Sequence, residues 1–208
     1  MKTESAVSGK LQILDREYFL SEDVVCLSKD LLGKRLCVHN GQGKAAGRIV
    51  ETEAYDGLTD RASHAYGGRR TRRTEIFYHR GGIAYVYLCY GIHSLFNIIT
   101  GPEEVPHAVL IRAIEPLEGI DLMLKRRNQQ KVKRNTGGGP ALVSQALGIT
   151  LDDNGRDLTD SHIWLEDDGF HPGEIIASPR VGIDYAGDDA QLDWRFRIAG
   201  SRFTSPAK

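Results

Sequence analysis

Apolar and polar positions follow two periods along the chain, and the places where one gives way to the other mark its elements. Residues 21–32 repeat at helical spacing through Val24, Leu27 and Leu31, with Ser21 placed as a cap, Glu22 and Asp23 in the first turn, and Gly33 to end it. Residues 36–39 and 45–55 read as two strands about the turn Gly41-Gln42-Gly43. Residues 81–99 alternate as a second hairpin that turns at Tyr90-Gly91. It sets Tyr85, Tyr87 and Cys89 on one face and Ala84, Val86, Leu88 and Tyr90 on the other. Residues 108–114 are a further strand, with Leu110 and Arg112 on one face. Beyond Glu115-Pro116, Leu117, Ile120 and Leu124 predict an amphipathic helix, and Pro140 opens another that Gly148 stops. Short strands around 163–165, 175–176 and 196–199 then close the fold. Residues 1–11 follow neither period and are expected to be disordered, leaving residues 12–205 as one domain.

One strand carries more chemistry than a core needs. In residues 49–55, alternation sends Ile49, Glu51, Glu53 and Tyr55 one way and Val50, Thr52 and Ala54 the other. Two carboxylates beside an aromatic ring make a poor core and a useful pocket floor. A carboxylate against an apolar wall is poorly solvated when charged, which tunes it toward general-base work, and Glu53, nearer Tyr55, is the better candidate. Arg112, in a strand so apolar, needs a partner such as Glu53. The loop D-G-L-T-D-R-A-S-H delivers His64 nine residues after Tyr55; taken alone, His64 reads as a structural histidine bonded to nearby backbone. A ring at a hairpin tip cannot be covered by its own sheet, so Tyr90 is an exposed anchor or a wedge for a partner. Tyr85 and Tyr87 fit either ordinary strand packing or a site.

Composition narrows the class. The 208 residues are 40% hydrophobic and 26% charged, as in an ordinary soluble domain, and no stretch approaches the roughly eighteen apolar residues of a membrane span. The opening M-K-T-E-S-A-V-S-G-K has no apolar signal core, which points to the cytoplasm. Cys26, Cys37 and Cys89 suit neither a disulfide framework nor a zinc motif, and read as buried thiols. The net charge of -1 hides an asymmetry: residues 61–80 carry six arginines against Glu75 alone, and Lys125, Arg126, Arg127, Lys131, Lys133 and Arg134 form a second basic cluster. Residues 151–193 carry twelve acids against Arg156 and Arg180. The run holding Arg69, Arg70, Arg72 and Arg73 is either a phosphate-contacting loop or a solvated one. Gly138 and Gly139, before the Pro140 helix, form either a phosphate-holding helix start or a flexible turn.

A carboxylate base, an arginine, several aromatic rings and a basic rim, without zinc motif, P-loop or dinucleotide fingerprint, fit few reactions. Hydrolysis of an N-glycosidic bond is one. A flat ring can lie between aromatic faces while the sugar gains oxocarbenium character that a nearby carboxylate stabilises. Such an enzyme acting on duplex DNA must flip the nucleotide out, and Tyr90 would fill the gap.

The motifs E-T-E-A-Y at 51–55, His64, Y-V-Y-L-C-Y-G at 85–91, Asn97, L-I-R-A-I-E-P-L-E-G at 110–119 and G-P-A-L-V-S-Q-A-L-G-I at 139–149 occur together and in this order. The chain resembles the alkyladenine (3-methyladenine, or methylpurine) DNA glycosylase family, bacterial type, over residues 31–205. The resemblance implies an α+β fold, a single mixed domain with a curved, partly open, barrel-like antiparallel sheet flanked by helices. It implies that Glu53 activates water and that Arg112 helps hold it. Tyr55 would lie on one side of the flipped base, with His64 and Tyr87 on the other; Asn97 would crowd the amine of normal guanine, and Tyr90 would be the minor-groove wedge. It further implies no metal or cofactor, double-stranded DNA with damaged purines as partner, and an abasic site left without strand cutting. Nothing in the pattern demands a second copy, and a monomer is expected. Two rival readings stay open: a metal-dependent hydrolase built on Glu53, Asp56, Asp60 and His64, and a non-catalytic nucleic-acid-binding module.

Overall fold

The computed structural model describes residues 11–206. Residues 1–10, and with them most of the segment expected to be disordered, lie outside the described residues. A short strand β1 (Gln12–Ile13) precedes the helix α1 (Val24–Asp30). Asp23, rather than Ser21, caps that helix: its carboxylate accepts from the Cys26 N–H at 2.8 Å, while Ser21 Oγ accepts from the Asp23 N–H. Then follow β2 (Arg35–Asn40), β3 (Gly43–Tyr55), β4 (Ile83–Cys89), β5 (His93–Thr100) and β6 (His107–Glu118). Two helices, α2 (Ile120–Arg126) and α3 (Pro140–Leu147), lead to β7 (Ile163–Asp167), β8 (Ile175–Ser178) and β9 (Arg195–Ile198).

The strands form one open, antiparallel sheet in the order β1-β7-β2-β3-β6-β5-β4, and it does not close into a barrel. Strand β3 is its hub. It pairs with β6 along one edge, and its other edge serves β2 in the first half and β9 at Glu51–Glu53. With helices packed on it, the molecule is a single mixed α+β domain, as expected.

Register shifts between Ile49 and Glu51 and again between Glu51 and Thr52 interrupt strict alternation in β3. Ile49, expected beside the carboxylates, therefore joins Val50 and Ala54 in the core. The expected helix start after Pro116 is also displaced, because β6 runs through Pro116 to Glu118. Pro116 sits opposite Gly47 at another register shift, where a missing N–H does not interrupt a regular ladder.

Alternation in β4, β5 and β6 then sorts side chains cleanly. Ala84, Val86, Phe96, Ile98, Val109 and Ile111 enter the main core, which α1 covers over β3 and α3 covers over β5 and β6. Their neighbours Tyr85, Tyr87, Asn97, Leu110 and Arg112 line a cavity instead. Of the three cysteines only Cys37 is buried. Cys89 is half-buried at the end of β4 and Cys26 is exposed on the outer side of α1, so two of the expected buried thiols are not. No helix among the described residues is long and apolar enough to cross a membrane.

Candidate active site

Antiparallel register sets Arg195, Glu53, Leu110, Asn97 and Tyr85 opposite one another in turn across β9, β3, β6, β5 and β4. A cavity of about 500 Å³ opens over this row, and Glu53, Tyr55, His64, Tyr87, Asn97 and Arg112 all line it. Six residues expected at one site from five separate motifs thus come together. Tyr90 reaches the same cavity from the hairpin tip.

Glu53 is completely buried. Its Oε1 accepts from the Val181 N–H at 2.9 Å and faces Arg112 Nη1 at 3.2 Å; its Oε2 accepts from the Tyr55 hydroxyl at 2.8 Å. A carboxylate has about four lone-pair positions. Two hydrogen bonds occupy two of them, Arg112 stands against Oε1 as an ion pair, and the residue lines the cavity. Burial, reinforced by the neighbouring Glu53 charge, pushes the Tyr55 hydroxyl far above its ordinary value, so it remains a donor.

Arg112 also donates from Nε to Glu51 Oε1 at 2.9 Å. Glu51 is itself buried and receives Arg195 Nε at 2.7 Å, the Ser205 hydroxyl at 2.6 Å and the Ser205 N–H at 2.5 Å. Burial works against charge on Glu51, but Ser205 and the two guanidinium groups outweigh it and hold the carboxyl below its ordinary value. Behind Tyr55, the buried Arg180 guanidinium lies 4.8 Å from the ring centroid, forks onto the Asp60 carboxylate and donates to the Ala54 carbonyl at 2.8 Å. Asp60 is thereby neutralised, and Asp56 is spent on the N–H groups of Leu58 and Thr59. The four residues of the metal-hydrolase reading are not gathered: no group of three or more His, Cys, Asp and Glu among the described residues is placed to hold a metal ion.

On the opposite wall, His64 Nδ1 lies 3.0 Å from the Tyr85 hydroxyl, and the His64 and Tyr87 rings meet edge to face with centroids 4.8 Å apart. Burial, and after it the Arg73 charge, lowers the His64 imidazole to about 4. The histidine is neutral at pH 7. Asn97 is buried, and its amide nitrogen donates to the Tyr85 and Leu95 carbonyls at 3.1 and 3.4 Å, leaving its oxygen for the cavity.

Tyr90 is 92% exposed and takes a positive φ of 51° beside Gly91 at 74°. The turn projects the ring into solvent, with Ile92, 72% exposed, next to it.

The basic loop divides. Arg69 and Arg72 are exposed and have no acidic partner among the described residues, whereas Arg70 is paired with both Glu75 and Glu104. Arg73 is exposed but also lines the cavity: it donates from Nε to the Tyr85 hydroxyl at 3.1 Å and lies 5.2 Å from the Tyr87 ring centroid. Gly138 and Gly139 are buried against β6, and the Gly139 N–H is engaged by the Gly137 carbonyl at 3.2 Å.

Sequence reasoning missed Glu51's partners Arg195 and Ser205, and missed Arg180 and Val181. The acidic segment, read only as closing the fold, supplies two of these four. Arg180, isolated among acids, was the available signal.

The fold is thus an open antiparallel sheet that carries a buried carboxylate beneath an aromatic-walled pocket. The chain belongs to the methylpurine-DNA glycosylase family, whose sequence profile matches residues 18–202. A relative from Chlamydia abortus is 49% identical, covering 89% of this chain and 98% of the relative. One from Bacillus licheniformis is 44% identical over 90% and 94%, and one from Bacillus subtilis 41% over 90% and 94%. All three are provisionally named 3-methyladenine DNA glycosylase.

Proposed function

We propose that this chain, through residues 12–205, is a base-excision repair enzyme. It flips alkylated or deaminated purines of the 3-methyladenine, 7-methylguanine, hypoxanthine and ethenoadenine class out of duplex DNA and hydrolyses their N-glycosidic bond. The observation that carries this reading is Glu53: a buried carboxylate with two hydrogen bonds and the Arg112 ion pair, at the floor of an aromatic pocket, with an acceptor position left for water.

A water on that position would give its proton to Glu53 as its oxygen attacks the sugar C1′ carbon, while the bonding pair leaves with the base. Arg112, 3.2 Å from Glu53, orients the carboxylate and the water. Tyr55 lies under one face of the base, His64 and Tyr87 lie at the other, and Asn97 crowds the amine of normal guanine. Tyr90 fills the gap left in the duplex. Arg69 and Arg72 contact phosphates; the geometry supports Arg70, Arg73, Gly138 and Gly139 less, since each is already engaged or buried. No lysine lines the cavity among the described residues, which supports water over an enzyme amine as nucleophile and therefore a monofunctional glycosylase. The reading takes the enzyme to act as a monomer.

The test is base release from a duplex carrying one hypoxanthine or one 3-methyladenine, with strand breaks read before and after hot alkali. Wild type releases the base, and breaks appear only after alkali. Glu53→Gln binds the lesion duplex but releases nothing, because an amide cannot accept the proton. Full activity in that variant would remove Glu53 from its role. Binding without release by either protein would favour a binding module.

A further inference from the structure

One buried polar cluster has no part in the reading above. Glu51 is held by Arg195 of β9 and by Ser205 of the C-terminal segment, and none of the three is more than 3% exposed. Buried ions are costly unless paired and fully hydrogen-bonded. This cluster meets that condition and adds a constraint: Arg112 Nε, Arg195 Nε and the Ser205 hydroxyl all converge on one atom, Glu51 Oε1, at 2.9, 2.7 and 2.6 Å. Both guanidinium groups also donate to Ser205 Oγ, at 3.3 Å each. Arg112 is therefore shared between Glu51 and Glu53, and whatever neutralises Glu51 leaves more of its charge for Glu53.

We propose that Arg195 and Ser205 are positioning residues for base release, which act by neutralising Glu51 and so set how Arg112 divides between Glu51 and Glu53. The inference rests on Glu53 being the base. Other charged and titratable groups also face Glu53: Tyr55 on its own strand, and Arg180, backed by Asp60, and Tyr185 on the segment after β8. None of these touches Glu51, so changes at Arg195 and Ser205 leave them in place.

The sign of the effect separates positioning from mere packing. Without Arg195, Glu51 draws Arg112 to itself and away from Glu53, and the acid limb of the rate profile moves to higher pH. Without the Glu51 charge, Arg112 is left to Glu53 and the limb moves to lower pH. Single-turnover release from the hypoxanthine duplex is measured against pH for wild type, Arg195→Met, Ser205→Ala and Glu51→Gln, with melting curves and lesion-duplex affinities alongside. Arg195→Met is expected to raise the limb, Ser205→Ala to raise it by less, and Glu51→Gln to lower it, with affinities unchanged. Rates that fall while the limb stays fixed, or that shift the same way in all three, overturn the proposal. If Arg195→Met does not fold, Ser205→Ala and Glu51→Gln carry the opposite-sign test by themselves. An active Glu53→Gln control would instead overturn the base assignment, whatever the other profiles do.

Discussion

His64 shows how much one residue's surroundings decide. Its ring sits among Tyr85, Tyr87 and Arg73, where burial and a guanidinium group both oppose a second proton. The folded value of about 4 lies below the ordinary 6.5, so the unfolded chain binds the proton more readily between those values. The neutral ring therefore contributes stability that is complete above pH 6.5 and is lost as the pH falls toward 4. An NMR titration of the ring protons should place the His64 midpoint near 4, and Arg73→Gln should move it upward by removing the charge while burial remains. A midpoint near 6.5 in the wild type would mean that the ring is far more solvated than this packing allows. Glu53, Tyr55 and Arg112 were legible in the sequence because each is out of place in an apolar strand. His64 was not, since a histidine in a polar loop carries no such contradiction, and only resemblance to a family assigned it. Glu51 looked like a lesser copy of Glu53, because alternation cannot say which of two carboxylates will meet Arg195 and Ser205 from chain 144 and 154 residues away.

Among the elements, the β4–β5 hairpin was read almost whole, its faces and its turn included, because regular alternation with Gly91 at the tip leaves one register. Strand β3 was harder. Its register shifts move Ile49 into the core, and a shift cannot be seen in one strand, being a mismatch between two. The late strands were found but their work was not, since β9 reaches β3 only through long-range pairing. The hairpin also carries a prediction. A tyrosine held at positive φ is strained, and a ring 92% exposed gains nothing from the fold, so both features point to use by a partner. Tyr90→Ser should weaken binding to a lesion duplex by about 1–3 kcal/mol, the worth of one base–aromatic stack, with little change in melting temperature. Equal affinities in a fluorescence anisotropy titration would remove the wedge from the proposed function.

For the whole molecule, the question is which charges remain for a polyanion once the fold has used the others. The first basic cluster looked nearly free of acids in sequence, yet Glu17, Glu104 and Asp189 come from three other parts of the chain to join its own Glu75. Arg61 pairs with Asp189, Arg80 with Glu17 and Arg70 with Glu75 and Glu104, and Arg73 borders the cavity; Arg69 and Arg72 remain. In the second cluster Arg126 caps α3, donating to the Ala146 and Leu147 carbonyls at 3.1 and 2.7 Å. Residues 131–139 then lead Lys131, Lys133 and Arg134 toward Pro140, which lines the cavity. Salt dependence can reveal which of these charges meet DNA, because every phosphate that a side chain neutralises steepens the fall of log affinity with log salt by about 0.9. Replacing Arg69 and Arg72 together with glutamine should flatten the slope for duplex DNA by roughly twice that amount and weaken every sequence alike. Arg70→Gln should leave the slope where it was, because two carboxylates already neutralise that guanidinium. If Arg70→Gln flattens the slope as much as either neighbour does, the ion pairs open when DNA arrives. The binding face would then have to be drawn from the basic sequence rather than from the charges the folded protein leaves unpaired.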